Sequence, residues 1–525
     1  MPLSLSLLEQ LNEALIQRDA VRAFALLDSS ASSWETLSPT DAHATAFLVC
    51  LAQWVSLGYR DPAFFDCMME RFAHVDRKQL RLEDYIGLRF AEAQRALLGD
   101  DTAQAVSIFR FLLEVEPGIL DQHLVAVAHY WKGRAHRRLG EFNAAMEDMH
   151  SAQEQATALG FTKLVALVKI QTSRMAFRDG QRREAFRLLD EAEQELKGTG
   201  DAISLGNIES ARGRFVRRLG EYSKALEHFE RAIEIYGDAS PGRPNGARAL
   251  VNAAYVKRLI ALDLKGRQKS GRARAADHVR FLEVCREALE YLSRARDIYS
   301  NLRHQAGTGS VLVNTGYLHL DSGDIEQAEE DAAQAFALGE LKQDEALLAR
   351  ARILQATIEN ERAEEQFGEA GSLATYAHAA RSHAEEAITL AKRTDNTRIL
   401  AGAYVVRGFI AASDFFQDWE TAKQFSTLAG ELLGKDDLDH LSKQLALLKT
   451  KILRSTGVDE TVRAWTEGVT GTKSFQQITE EFAEIVIPKV WQQQDRKIAR
   501  VAEVLCISPK KVRRILKSRG LLKPS

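Results

Sequence analysis

The residues best placed to do chemistry in this chain are six cations near its carboxyl end: Lys510, Lys511, Arg513, Arg514, Lys517 and Arg519. Lysine and arginine side chains make charge-assisted hydrogen bonds to phosphate oxygens, so the chemistry they suggest is polyanion binding. From Lys489 onward eleven Lys or Arg are set against only Asp495 and Glu503, a local charge of +9. The whole chain carries −3, so the preceding 488 residues sum to −12. The tail is suited to a polyanion that the body would repel. Lys511, Arg514 and Lys517 have a spacing that follows a groove, while Lys510, Arg513 and Arg519 are placed to hold flanking phosphates.

Other chemistry is missing where it would be looked for. His123, His129 and His136 are six and seven residues apart, which gives no metal-binding pair at consecutive helical turns. His-Glu-x-x-His, Gly-x-Ser-x-Gly and Gly-x-Gly-x-x-Gly do not occur, and the basic segment Lys265 to Arg272 lacks the Gly-Lys-Ser/Thr order of a phosphate loop. Cys50, Cys67, Cys285 and Cys506 show no C-x-x-C spacing, so neither a zinc site nor a disulfide framework is expected, and a reduced cytoplasmic setting fits. The start, Met1-Pro2-Leu3-Ser4-Leu5, reads as a helix and not as a signal peptide, and no apolar run is long enough to span a bilayer. No catalytic residue, metal or cofactor is expected, and the chain reads as a non-enzyme.

The elements that must position the six cations can be read from local signals. Ser508 is a good N-cap, Pro509 suits a first helical position and Gly520 suits a stop, which predicts a helix of about eleven residues. Its inner face is Val512, Ile515 and Leu516. A helix from Arg496 precedes it across a short turn, and another begins near Ser474 with Ile478, Phe482, Ile485 and Val486 on one face. Pro488 should kink or divide that first helix. Two helices across a tight turn, the second short and basic, can lay a helix in a DNA major groove.

Over about residues 474–522 the sequence also resembles the Fis-type helix-turn-helix, through Val501-Ala502, Leu505-Cys506-Ile507-Ser508 and Gly520-Leu521. It departs from that family at Arg496 and Cys506, where the family favours glycine. The resemblance implies double-stranded DNA as a partner, the helix around Ile478 to Val490 as a dimerisation element, and a homodimer reading a palindromic site.

The body carries a different signal. Gly99, Gly140, Gly180 and Gly220 are 41, 40 and 40 residues apart, and Arg137-Arg138-Leu139-Gly140-Glu141-Phe142 recurs as Arg217-Arg218-Leu219-Gly220-Glu221-Tyr222. In the unit Gly213, Phe215, Gly220, Tyr222, Ala225, Phe229, Ala232, small residues admit a second helix, glycine turns the chain and aromatics fill the wedge. One hairpin cannot bury its apolar face alone, but a stack can. These residues resemble the tetratricopeptide-repeat family in a long-unit form, strongly over about 85–236, again around Gly316, Gly323, Ile325, Ala328 and Ala335, and more weakly at Gly408, Trp419, Ala422 and Ala429.

The expected fold is all-α: a superhelical tetratricopeptide-like array followed by a small helix-turn-helix domain. The divisions are an N-terminal helical segment (1–84), repeats (85–240), a second repeat segment (241–467), a linker (468–473) and the terminal domain (474–525). Breaker-rich residues 237–248 read as a loop dividing the array, and residues 263–280 as a solvated inter-helix loop. The acidic stretch Glu359 to Gly371 reads as an exposed helix end or connector. The function expected is that of a bacterial transcriptional regulator, with a protein, peptide or small ligand on the concave face of the array. The alternative is an interaction scaffold whose basic tail contacts protein or RNA. Outward-facing cations on helix 509–519 favour DNA, whereas ion pairs from Arg513 or Arg514 to repeat carboxylates favour the scaffold.

Overall fold

The computed structural model describes residues 3–58, 62–99, 101–115, 121–239, 243–269, 275–302, 304–365, 372–394, 396–434, 437–455 and 473–522. Every regular element among them is helical. Five helices open the chain: α1 (Leu5–Gln17), α2 (Ala20–Ser29), α3 (Ala31–Glu35), α4 (Ala44–Ser56) and α5 (Pro62–Phe72). Antiparallel pairs follow: α6 (Leu82–Leu98) with α7 (Thr102–Glu114), α8 (Gln122–Arg138) with α9 (Phe142–Ala158), α10 (Thr162–Arg178) with α11 (Arg182–Leu196), and α12 (Ala202–Arg218) with α13 (Tyr222–Ala239). The pairs continue as α14 (Pro244–Lys269) with α15 (Ala275–Asn301), α16 (Gln305–Ser322) with α17 (Ile325–Lys342), α18 (Glu345–Glu365) with α19 (Leu373–Lys392), and α20 (Thr397–Ala411) with α21 (Trp419–Leu432). α22 (His440–Ser455) ends the stack, and α23 (Phe475–Gln493), α24 (Ile498–Val504) and α25 (Pro509–Ser518) form the terminal unit.

The glycine period has a backbone cause. Gly140, Gly180 and Gly220 have φ of 80°, 81° and 79°, the left-handed region that a side chain disfavours. There the next N–H reaches back five residues, Glu141 N to His136 O at 3.0 Å and Gln181 N to Ala176 O at 2.9 Å, closing the first helix of the pair. Helix starts are marked by acids: Asp101, Asp121, Asp201, Asp324 and Asp418 each accept from a backbone N–H of the first turn. Between the two helices of a pair, Gly213 lies under the ring of Phe229, where an added Cβ would stand 3.0 Å from ring carbons.

Of the interruptions read from the sequence, residues 240–242, 270–274 and 366–371 lie outside the described residues, and the described residues on either side are largely helical. α13 runs to Ala239 and α14 starts at Pro244, a residue suited to a first helical turn, so residues 237–239 and 244–248 are helical. The apolar cluster of Val216, Tyr222, Phe229, Val256 and Leu259 continues across this point, so the stack is not divided there. Residues 263–269 belong to α14 and 275–280 to α15, and residues 270–274 of the expected loop lie outside the described residues. The acidic stretch enters α18 as far as Glu365. The linker at 468–473 lies outside the described residues except for Lys473.

Each even-numbered helix from α8 to α22 also touches the next even-numbered one, which places these helices on the inner, more tightly curved side of the stack. The curvature brings residue 437 back to residue 218. Arg218 grips Asp437 with Nε–Oδ1 at 3.2 Å and Nη2–Oδ2 at 2.8 Å, and Leu438 N donates to Arg218 O at 3.0 Å. Arg398 bonds Asp437 at 2.8 Å and also pairs with Asp439, while Lys443 reaches Asp263 at 3.3 Å. The amino-terminal helices are tied to the same region: Arg18 is paired with Asp201 through two of its nitrogens, both side chains being buried, and donates to Ser204 at 3.2 Å.

Two outcomes follow from this closure. Asp437→Ala leaves Arg218 and Arg398 without their shared carboxylate, and should cost about 2 kcal/mol, between an exposed and a buried pair, read from urea midpoints. Separately, burial and the charge of Arg258, with a smaller contribution from Lys443, push His440 down to about 4 against the opposing pull of Asp321 and Asp439. The folded array then refuses a proton that the unfolded chain accepts near pH 6.5. Stability should therefore be complete above about pH 6.5 and fall as the pH drops toward 4, and urea midpoints of His440→Gln should fall less over the same range.

Candidate functional sites

The terminal unit is built from three helices around Ile487, Trp491, Val501, Ala502, Val512, Ile515 and Leu516, all buried. α23 starts on a capping box, Ser474 Oγ accepting from Gln477 N at 3.3 Å and Gln477 Oε1 from Ser474 N at 2.8 Å. It runs unbroken past Pro488. Ser508 caps α25 by accepting from Lys511 N at 3.3 Å, with Pro509 in the first turn. Arg496 and Cys506 adopt φ of 60° and 50°, so the chain takes a left-handed conformation at both positions where glycine is missing.

The six predicted cations lie around α25 as follows. Lys510, Arg513, Arg514, Lys517 and Arg519 are exposed, and Lys511 is half-buried. Arg514, with 62% of its side chain exposed, and Lys511 both approach Glu480, and Arg519 pairs with Glu484 at 3.2 Å. Those acids lie on α23, inside the same unit, and not on the repeats. None of the ion pairs described for α25 reaches the array.

A second set of residues, not singled out from the sequence, lies on the inner helices. Arg134, Arg174 and Arg214 occupy the same register on α8, α10 and α12, one per 40-residue unit. With Arg137, Arg217 and Arg248 they form one neighbourhood whose charges oppose one another. Burial first, and neighbouring arginines second, bring Arg137 down to about 9 and Arg174 to about 10, and hold Arg214 well below its usual range. None of the six has a carboxylate partner among the described residues. Arg134 lies over the Trp131 ring at 4.3 Å, Arg217 over Tyr255 at 4.9 Å, and Arg248 hydrogen-bonds Tyr299. The recurrence of arginine at the glycine period was the available sequence signal.

Other cations on the same helices are paired with acids. Arg212 alone contacts Asp190, Glu193 and Glu209 at 2.6–2.7 Å, and Lys169 binds Glu191 and Glu195. Histidines join the same pattern: His129 bonds Asp148 at 3.0 Å and His319 bonds Asp331 at 2.9 Å. Among the described residues no group of three or more His, Cys, Asp or Glu is arranged to hold a metal, and no helix is long and apolar enough to cross a membrane.

No family model matches the sequence, and no curated protein is significantly similar to it. Among solved structures, a Rap protein complexed with Competence and Sporulation Factor aligns with a TM-score of 0.51 at 15% identity, over 74% of this chain and 100% of that one. NprR with its cognate peptide NprX gives 0.45 at 13% identity, over 74% and 98%. The STAND protein with a tetratricopeptide repeat sensor from Pyrococcus horikoshii gives 0.42 at 13%, over 80% of this chain and 54% of that one. The likeness to the first is one of fold, and this chain has a superhelical tetratricopeptide-like repeat array.

The strain at the interhelical turn has a measurable consequence. Cys506→Gly removes a Cβ from a left-handed residue and should stabilise the terminal unit by about 0.5–1 kcal/mol, read as a higher urea midpoint of the Trp491 signal.

Proposed function

We propose that this chain is a cytoplasmic DNA-binding regulator, in which the curved array receives a ligand or partner and the Fis-like terminal unit contacts duplex DNA. The observation that carries the reading is the division of α25: Val512, Ile515 and Leu516 are buried beneath it, while Lys510, Arg513, Arg514, Lys517 and Arg519 face solvent. A basic helix held in this way, with its capped N-terminus exposed, has the geometry of a recognition helix. The pairs to Glu480 and Glu484 are solvent-exposed, and such pairs stabilise by only about 0.2–1 kcal/mol, so phosphates can compete for the same guanidinium and ammonium groups.

A second copy fits the same reading. Phe475 and Phe482 on α23 are 85% and 46% exposed, and with Ile478 and Ile485 they recur at steps of three, four and three residues, the spacing of a coiled-coil seam. The scaffold reading is supported by the solved Rap protein, whose structure was determined with Competence and Sporulation Factor. Both readings assign the array to binding and differ in what the tail meets.

Replacing Lys511, Arg514 and Lys517 together by Ala should weaken binding to a DNA duplex, and lower the slope of log K against log salt by up to about 2.7, since each phosphate contact contributes about 0.9. Fluorescence anisotropy at several salt concentrations measures both. An unchanged affinity and slope would overturn the DNA assignment.

A further inference from the structure

The six inner arginines stand out against the charge of the molecule around them. The chain up to residue 488 carries −12, so carboxylates are in surplus, and elsewhere in the array they crowd around Arg212 and Arg187. Around Arg134, Arg137, Arg174, Arg214, Arg217 and Arg248, none is described within ion-pair distance. The Nε atoms of Arg137 and Arg174 are buried and have no hydrogen-bond partner. Arginine does not escape repulsion by losing its proton at neutral pH, so the patch retains a positive charge, and for Arg137, Arg174 and Arg214 burial makes that charge costly.

We propose that this inner patch binds a ligand carrying linked phosphates. Two features select phosphate over the carboxylates of an acidic peptide. The charged groups gathered there are all donors, guanidinium forks from α8, α10, α12 and α14, and the acceptors described on them are the neutral oxygens of Gln171, Asn252 and Tyr299. Linked phosphates offer only acceptors to such a surface, whereas a peptide brings backbone N–H groups that need acceptors of their own. Linked phosphates also place several negative charges within a few ångströms, so that one ligand can draw on more than one of these guanidinium groups at once. The inference deepens the receptor half of the function proposed above and rests on it.

The test uses the full-length chain in 150 mM salt, with thermal unfolding and calorimetry as readouts and tripolyphosphate as the first probe. Tripolyphosphate should raise the midpoint by several degrees. It should do so equally in the variant with Lys511, Arg514 and Lys517 replaced by Ala, which separates the patch from the tail. Arg174→Gln and Arg214→Gln should weaken its binding at least tenfold, and Arg174→Lys by less, because the charge remains without the fork. Without ligand, Arg174→Gln should melt no lower than the parent, since it removes repulsion; a purely structural arginine would lower the midpoint. ATP and a 5′-triphosphorylated short single strand, compared with tripolyphosphate, distinguish a nucleotide, a nucleic-acid end and the free anion as the source of the same chemistry. If hexaglutamate stabilises as strongly as tripolyphosphate, the phosphate assignment is wrong and the receptor reading stands. If neither stabilises, or the Gln variants respond like the parent, the patch is not an anion site and the receptor reading loses its support there.

Discussion

At Gly213 the ring of Phe229 occupies the space a Cβ would need, and the same relation holds for Gly206 beneath Tyr236, Gly309 beneath Leu347, Gly316 beneath Leu354 and Gly408 beneath Leu448. Large side chains seated on missing ones set how closely helices approach along the array. Alanines at Ala145, Ala185, Ala225, Ala328 and Ala422, fully enclosed, do the same from the second helix of the pair. Burying a side chain such as Phe229 contributes about 2–3 kcal/mol, but only if the opposing helix leaves room. The spacing between layers, and so the curvature of the whole stack, follows from this local rule repeated along the chain.

Curvature is what separates the two surfaces of the array electrostatically. Even-numbered helices lie on the inside and converge, and odd-numbered helices lie outside, where their acids and bases interleave at helical spacings and satisfy one another in water. The pairs that hold the closure, Arg218 with Asp437 and Lys443 with Asp263, are drawn from distant parts of the chain. They fasten the second half of the array against the first. In between, Arg134, Arg137, Arg174, Arg214, Arg217 and Arg248 are gathered with no carboxylate described at ion-pair distance.

The terminal unit obeys a different economy. It is too small to hold much core, and its stability rests on seven buried side chains, two capped helices and a turn that accepts left-handed conformations at Arg496 and Cys506. Pro488 does not interrupt α23, since a helix gives up one backbone hydrogen bond at a proline and regains the loss by packing Ile487 and Trp491 against α24 and α25.

Much of this was determined by residues acting on their near neighbours. Glycine at a 40-residue period, acids before helices, and Ser508-Pro509 at the head of α25 act within one or two helical turns, so helix ends and the repeat unit were readable in the sequence. The basic face of α25 was readable too, because its apolar face needs only three residues, Val512, Ile515 and Leu516. Local breaker signals misled at 237–239, 244–248, 263–269 and 275–280, where packing against neighbouring helices carried α13, α14 and α15 into their weak residues. Tertiary structure alone decided that Arg218 meets Asp437, 219 residues away, and that Arg134, Arg174 and Arg214 share one interior. Those contacts depend on small rotations summed over many stacked pairs, and no single residue's type or spacing records that sum.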